Sequence, residues 1–272
     1  MLAENFGVEW LRINLPFPCE VHWCQPMRIE SNENYKVLLI NCEPLEFLID
    51  VEELSKIYRF FDLIIAYHPR YSIFPNCVIR PFGCLYTTKI PSRKEFSTSF
   101  LFSMGGDRPK RTGYAERLRF LHGLSQGAAM PLRIYKGRQF AAEDRVPYPL
   151  LPDDTKNILF ESMFHVAIEN AFDEHYFTEK LMDCFATYTI PIYMGSPNIG
   201  EYFDVDGMIL ISPGDNVMDI LNRLSISDYW DRLKGMTENW KRAQKYFAYL
   251  QACRSLIVEA SRCRQVSQTS AL

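Results

Sequence analysis

Short apolar runs alternate with amphipathic segments from residue 35 onward, and this alternation limits the possible folds more than any other feature. Runs such as YKVLLIN at 35–41 and IPIYM at 190–194 are apolar almost throughout, which is typical of strands buried on both faces of a sheet. The segments between them space apolar residues three and four apart, as helices do. The pattern therefore predicts an α/β protein with mostly parallel sheets.

Two such alternations follow one another. The first contains three predicted strands, at 35–41, 61–67 and 77–83. Its predicted helix, 50–60, begins with Asp50 and Glu53 at capping-box spacing. The second contains five predicted strands, at 99–104, 132–137, 163–168, 190–194 and 208–211. The segment TTKIPSRKEFST between them is polar and aperiodic, so we predict a linker there and two domains, 1–95 and 96–272, the second ending in two closing helices.

Composition excludes several classes of protein. The 272 residues are 47% hydrophobic, enough for one large core or two modest ones. Thirty basic residues against 33 acidic ones give a net charge of −3, which offers no overall attraction for nucleic acid. Eight cysteines without a CxxC pair or zinc spacing favour reduced thiols. With no apolar run of signal-peptide or membrane-spanning length, we expect a soluble, cytoplasmic protein.

The stretch AIENAFDEHYFTEKL, at 167–181, concentrates charge where a predicted strand ends. In parallel α/β units, ligands bind beyond the carboxyl ends of the strands, where helix N-termini point N–H groups at anions. A helix predicted from about Phe177 gathers an aromatic, an acid and a base on one face: Tyr176, Glu179 and Lys180. Its core face is predicted to hold Phe177, Leu181, Cys184 and Phe185. The spacing alone leaves a solvated helix start and a binding site equally open.

The same region resembles the signature of the α-1,3/4-fucosyltransferase family, glycosyltransferase family ten, and is most similar to bacterial members. The matching elements are Glu169-Asn170, the helix start Tyr176-Phe177-Thr178-Glu179-Lys180 and the strand Ile190-Pro191-Ile192-Tyr193-Met194-Gly195. Upstream, FSMGGDRPKRTGYAERL places Arg111 where members keep a phosphate-binding arginine. LINCEPLEF places Glu43 where members have the proposed general base. The similarity covers roughly residues 35–212.

The resemblance implies a GT-B fold with two Rossmann-like domains. The C-terminal domain would bind the donor GDP-fucose, and a glycan acceptor would enter the cleft. The N-terminal domain is expected to be shortened. The implied reaction transfers fucose with inversion, with Glu43 as general base and with Arg111 and Lys180 neutralising the departing diphosphate. Asn170, Tyr176 and Glu179 are expected to orient the nucleotide and the sugar. Glu179 is also a catalytic candidate, because a carboxylate can stabilise positive character at the sugar carbon.

The resemblance implies no metal at the site. Asp204-Val205-Asp206 has the DxD spacing of metal-dependent transferases, but it follows no buried strand, so we predict a turn. Basic residues are expected to replace the metal, and a divalent cation to stimulate product release at most. The closing segment 229–260 mixes aromatic and basic residues. We expect it to pack on the domains, with peripheral membrane contact as the alternative.

Two departures from the family pattern leave other functions open. Ala171 stands where members have Ser or Thr, and Pro44 follows Glu43 where members have Asn. The first alternative is a catalytically inactive module that binds a nucleotide sugar or a glycan. The second is a GT-B transferase that uses another sugar nucleotide, because phosphate-binding residues do not read the sugar.

Overall fold

The computed structural model describes residues 15–24, 26, 29, 31–103, 112–124, 127–137, 147–152 and 156–269. Contacts between residues divide the chain into two compact units, 1–82 with 248–272 and 83–247. This division differs from the predicted one at 95/96 in two respects: the boundary lies at 82/83, and the last helix groups with the first unit. In that helix, Tyr249 is buried, accepts a hydrogen bond from Asn41 Nδ2 and packs edge-on against Phe82 with ring centres 5.0 Å apart.

The first unit is built on a four-stranded parallel sheet in the order β1-β2-β3-β4. The strands are β1 (Cys19–Trp23), β2 (Tyr35–Ile40), β3 (Leu63–Ala66) and β4 (Cys77–Ile79), and the helices are α1 (Val51–Ile57) and, at the end of the chain, α6 (Tyr249–Thr269). All side chains of β2 and β3 are buried. The pattern did not predict β1, whose sequence CEVHW mixes polar and apolar residues.

The second unit has a five-stranded parallel sheet in the order β6-β5-β7-β8-β9. Its strands are β5 (Glu95–Phe102), β6 (Leu132–Lys136), β7 (Ser162–Ile168), β8 (Ile190–Met194) and β9 (Ile209–Leu210). Its α-helices are α2 (Thr112–Gly123), α3 (Glu179–Ala186), α4 (Val217–Arg223) and α5 (Ile226–Phe247). The prediction of an α/β fold with parallel sheets is confirmed.

Several local predictions can be compared with the structure. Asp50 caps α1 as predicted, although its side chain accepts the N–H of Glu52 at 2.7 Å. The DxD segment is a turn as predicted, since Asp204 accepts the N–H of Asp206 at 3.0 Å at the start of a 3-10 helix. β5 begins four residues earlier than predicted, inside the expected linker. Within the described residues, no helix combines the length and the apolar character that a membrane crossing requires.

The core face predicted for α3 is confirmed. Phe177, Leu181, Cys184 and Phe185 are all at most 1% exposed. The helix itself begins at Glu179 and not near Phe177, because Thr178 has extended backbone and caps the helix with its side chain. This start places Glu179 and Lys180 in the first turn, where the N–H groups lack partners within the helix.

Asp183 on α3 fixes the segment that precedes β5. The side chain is fully buried, and its Oδ1 accepts the N–H groups of Tyr86 at 2.8 Å and Thr87 at 3.0 Å. Burial raises the pKa of Asp183 to about 6, so the carboxyl group is mostly ionised at neutral pH. Residues without regular secondary structure are thereby attached to the helix.

We predict that Asp183→Ala lowers the free energy of unfolding by about 3 kcal/mol, because the buried N–H of Thr87 and the half-buried N–H of Tyr86 lose a charged acceptor. Asp183→Asn is the matched control, since its carbonyl oxygen can still accept both hydrogen bonds. Its amide nitrogen takes the place of Oδ2, which is buried without a hydrogen-bond partner among the described residues, so we expect a loss of about 1 to 2 kcal/mol, smaller than that of the alanine variant. Urea unfolding at pH 7.5 of the two variants measures the difference. Equal losses would mean that the two backbone hydrogen bonds do not hold this segment.

Candidate functional site

The candidate site lies at the carboxyl edge of the second sheet. β7 and β8, which are neighbours, end at Ile168 and Met194, and the segment from Glu169 to Thr178 connects β7 to α3. The N–H of Glu169 donates to the carbonyl of Met194 at 2.8 Å, which joins the two strand ends. This edge is where ligands bind in parallel α/β units.

Glu169 is the buried centre of the site. Its side chain is fully inaccessible, and its carboxylate accepts the N–H of Thr178 at 2.8 Å and the hydroxyl of Thr178 at 2.7 Å. Lys180 Nζ lies 3.5 Å from the same carboxylate. Burial raises the pKa of Glu169, while Lys180 and the hydrogen bonds from Thr178 oppose that shift. Glu169 therefore fixes the first turn of α3 through three contacts.

Glu179 lies between two ammonium groups. Its Oε1 is 3.2 Å from Lys156 Nζ and 3.3 Å from Lys180 Nζ, and the three side chains are only 12%, 15% and 20% exposed. Burial alone would raise the pKa of Glu179, but the positive charges of Lys180 and Lys156 outweigh it and hold the pKa well below its usual range. Glu179 is consequently a carboxylate throughout the physiological pH range.

Lys180 connects the two carboxylates. Besides Glu169 and Glu179, its ammonium group donates to Thr178 Oγ1 at 3.0 Å. Burial would lower the pKa of Lys180, but Glu179 and Glu169 raise it, so the ammonium form is retained. We call Glu169, Glu179, Lys156 and Lys180 the ion cluster. A partly exposed cation of this kind can neutralise charge on an anionic ligand.

The other predicted site residues are distributed as follows. Asn170 is half-buried beside the ion cluster and accepts a hydrogen bond from Arg117 Nη2 at 2.9 Å. Tyr176 is 1% exposed. Glu43 lies in the first unit, in a turn after β2, and its N–H donates to the carbonyl of Asn41 at 2.8 Å. Arg111 lies outside the described residues. The roles of all these residues stay predictions.

Sequence reasoning assigned no role to several residues that build the site. Glu169 was recognised as part of a motif, but its buried position between Thr178 and Lys180 was not foreseen. Lys156 is distant in sequence from the motif, and no pattern points to it. Its backbone is left-handed, with φ of 56°, and its ammonium group lies 4.4 Å from the centre of the Tyr86 ring.

Similarity to solved structures defines the class of fold. An α1,3-fucosyltransferase structure with GDP-fucose aligns with a TM-score of 0.52 at 15% identity, over 88% of this chain and 78% of that one. A trehalose 6-phosphate synthase from Burkholderia multivorans aligns with a TM-score of 0.53 at 13% identity, over 87% of this chain and 68% of that one. At such identities the likeness concerns the fold alone. The chain has the GT-B fold of these glycosyltransferases.

The family follows from the sequence match. The model of glycosyltransferase family 10 (fucosyltransferase), C-terminal part, matches residues 98–270, and the chain belongs to this family. GDP-fucose protein O-fucosyltransferase 3 of Danio rerio is 33% identical over 93 residues, which are 33% of this chain. The aligned part spans 20% of that relative's length. The predicted family is thus confirmed.

Gly113, within the matched region, allows α2 to approach the ion cluster closely. A Cβ atom at this position would lie 1.8 Å from the carbonyl oxygen of Glu169 and 2.9 Å from the carbonyl carbon and oxygen of Asn170. The N–H of Gly113 donates to the Asn170 carbonyl at 3.3 Å. Since the neighbouring atoms are backbone, no side chain can move aside to admit a methyl group.

We predict that Gly113→Ala lowers the free energy of unfolding by about 2 kcal/mol, because α2 must withdraw from the strand end and lose that hydrogen bond. Gly200→Ala is the control, since its Cβ would meet only Val205 at an ordinary 3.6 Å. It should change stability by less than about 0.5 kcal/mol. Chemical unfolding measures both, and a Gly113→Ala protein as stable as the control would show that the close approach is dispensable.

Proposed function

We propose that the protein transfers fucose from GDP-fucose to an acceptor hydroxyl, with inversion at the anomeric carbon. The observation that carries the proposal is the ion cluster. In a chain of the fucosyltransferase family, it places an ionised Glu179 and the Lys180 ammonium group, both partly buried, in the first turn of a helix at the ligand-binding edge of the sheet. Such helix starts favour phosphate groups.

Lys180 has the role of stabilising the leaving group. As the bond between the sugar carbon and the phosphate oxygen breaks, negative charge accumulates on the diphosphate, and a cation already held in place lowers the barrier. Arg111, which the family pattern places on the phosphates, adds a second cation. These groups supply the neutralisation that a metal ion provides in other transferases, so a divalent cation is optional in this proposal.

Glu179 is suited to stabilising positive charge and not to donating a proton. Its low pKa keeps it ionised, and a carboxylate near the sugar ring stabilises the positive character that develops when the leaving group departs. Asn170 and Tyr176 are proposed to orient the nucleotide and the sugar.

Glu43 is the proposed general base. It accepts the proton of the acceptor hydroxyl as the oxygen attacks the anomeric carbon, and GDP leaves with the electron pair of the broken bond. The turn that carries Glu43 contains Cys42 in the left-handed region, with φ of 59°. Pro44, which replaces the family's Asn, follows with extended backbone.

The acceptor is proposed to be a glycan. A second class, a hydroxyl group of a protein, is favoured by the similarity to GDP-fucose protein O-fucosyltransferase 3. Both acceptors offer the same nucleophile, an alcohol oxygen, so the chemistry assigned to Glu43 is the same for either.

Donor binding is tested first by calorimetry with GDP, GDP-fucose, GDP-mannose and UDP-glucose, without added metal. We expect GDP and GDP-fucose to bind and UDP-glucose not to bind. A preference for UDP-glucose would mean that the protein uses a donor sugar other than fucose. Absence of all four binding signals would contradict the assignment of a nucleotide-sugar site.

Catalysis is tested by the slow hydrolysis of GDP-fucose and by transfer to a panel of oligosaccharide and peptide acceptors. Glu43→Gln should lower turnover by about a hundredfold or more while leaving GDP affinity unchanged, because the amide cannot take up the proton. Glu46→Gln, at an exposed glutamate in the same unit, is the control. Binding without any Glu43-dependent turnover would support the inactive module instead.

A further inference from the structure

Arg117 of α2 is a buried guanidinium group at the end of β7. The residue is 3% exposed, and its Nε donates to the carbonyl of Ile168 at 3.0 Å. Nη1 donates to the carbonyl of Ser103 at 2.7 Å, and Nη2 donates both to Ile168 and, at 2.9 Å, to Asn170 Oδ1. Arg117 thus joins the ends of β5 and β7. Among the described residues, Asn170 is the acceptor that it reaches through a side chain.

The chemistry of this contact determines which way the Asn170 amide faces. A guanidinium group has only donors, so it can pair with the amide oxygen and not with the amide nitrogen. The two N–H bonds of Asn170 must therefore point elsewhere. Asn170 is half-buried, and among the residues that the structure describes none accepts a hydrogen bond from its Nδ2.

The backbone around Asn170 is held as firmly as its side chain. The Asn170 carbonyl accepts the N–H of Gly113, and α2 approaches so closely that only glycine fits at position 113. The Arg117 guanidinium lies 5.1 Å from the centre of the Tyr114 ring, which supports it from the same helix. The amide is thus fixed at both its backbone and its oxygen.

We infer that Arg117 is a positioning residue that sets the orientation of the Asn170 amide, so that Asn170 presents a hydrogen-bond donor to the bound substrate. This inference rests on the proposed function. The matching ligand group is an oxygen with free electron pairs, namely a phosphate oxygen of the nucleotide sugar. A ligand donor, such as a base N–H, is excluded from this position.

A different reading of the same contacts is that Arg117 only connects the strand ends. In that case the substitution of Arg117 would alter stability but would leave the contribution of Asn170 to binding unchanged. The two readings differ in the energetic coupling between the two side chains and in the effect of an acidic residue at position 170. Both differences can be measured.

The orientation of the Asn170 side-chain amide is tested in the ligand-free protein by NMR. The side-chain NH₂ signal of Asn170 is identified by its loss in Asn170→Asp. We expect both protons to exchange readily with water and the signal to move in Arg117→Met. Protected protons that give cross-peaks to the Arg117 guanidinium would overturn the inference, whether or not the protein binds nucleotide.

The role toward substrate is tested with Asn170→Ala and Asn170→Asp. The aspartate can still pair with Arg117, so the fold should be retained, but its second oxygen would face the phosphate oxygens. We expect GDP-fucose affinity to fall about tenfold in Asn170→Ala and at least about a hundredfold in Asn170→Asp. A smaller loss in Asn170→Asp than in Asn170→Ala would overturn the inference.

The coupling is tested by a double-mutant cycle. In the Arg117→Met background the Asn170 amide is no longer oriented, so little of its contribution to binding remains to be removed. Asn170→Ala should therefore cause less than about a twofold further loss of GDP-fucose affinity in this background. An undiminished tenfold loss would mean that Asn170 acts independently of Arg117. If Arg117→Met does not fold, the NMR cross-peaks and the two Asn170 variants still test the orientation of the Asn170 amide. Failure of the wild-type protein to bind any guanine nucleotide would refute the proposed function. The NMR experiment on the ligand-free protein would then still decide which way the Asn170 amide faces.

Discussion

The arrangement of the candidate site depends on the burial of Glu169. A carboxylate without access to water is costly unless its oxygens are paired, and here Thr178 and Lys180 provide the partners. Those contacts determine where α3 begins and where the Lys180 ammonium lies. Glu179 follows Thr178 directly and is held between Lys180 and Lys156. One buried charge therefore specifies the position of the other charges.

This arrangement explains why so many charged residues occur near the end of a buried strand. Removing one member of a buried ion pair leaves its partner uncompensated, which is strongly unfavourable. The low pKa of Glu179 and the raised pKa of Lys180 both follow from their mutual attraction, although burial alone would shift each in the opposite direction. The site is thus ionised before a ligand arrives, which is the property that electrostatic stabilisation of a transition state requires.

The fold class followed from the sequence because a parallel sheet needs strands that are apolar on both faces. β8 satisfies that need, and β7 does so except at Ser162 and His165, while every residue of both strands is buried. β1 was missed because its residues are mostly only partly buried. The early start of β5 was missed because Ser97 looks like a loop residue, yet it is buried and bonded to Ser162 Oγ at 2.9 Å.

The candidate site could be located from its motif, but its construction could not be predicted. Glu179 and Lys180 stand next to each other in the sequence, so their ion pair could be predicted from the sequence. Lys156 and Arg117 reach the site through tertiary structure. No pattern stands beside Lys156, and Arg117 lies inside the stretch FSMGGDRPKRTGYAERL, in which the resemblance singled out Arg111 instead. Arg117 in particular looks like a surface arginine of a helix and is instead 3% exposed.

We propose that the ion cluster presents the Lys180 ammonium to a diphosphate. The most direct measurement is the GDP affinity of Lys180→Met beside that of Lys241→Met, a lysine at an exposed position of α5. We expect at least about a tenfold loss of GDP affinity for Lys180→Met, equivalent to about 1.4 kcal/mol, with an unchanged circular dichroism spectrum, and no loss of affinity for Lys241→Met. Equal GDP affinity in the two variants would contradict it.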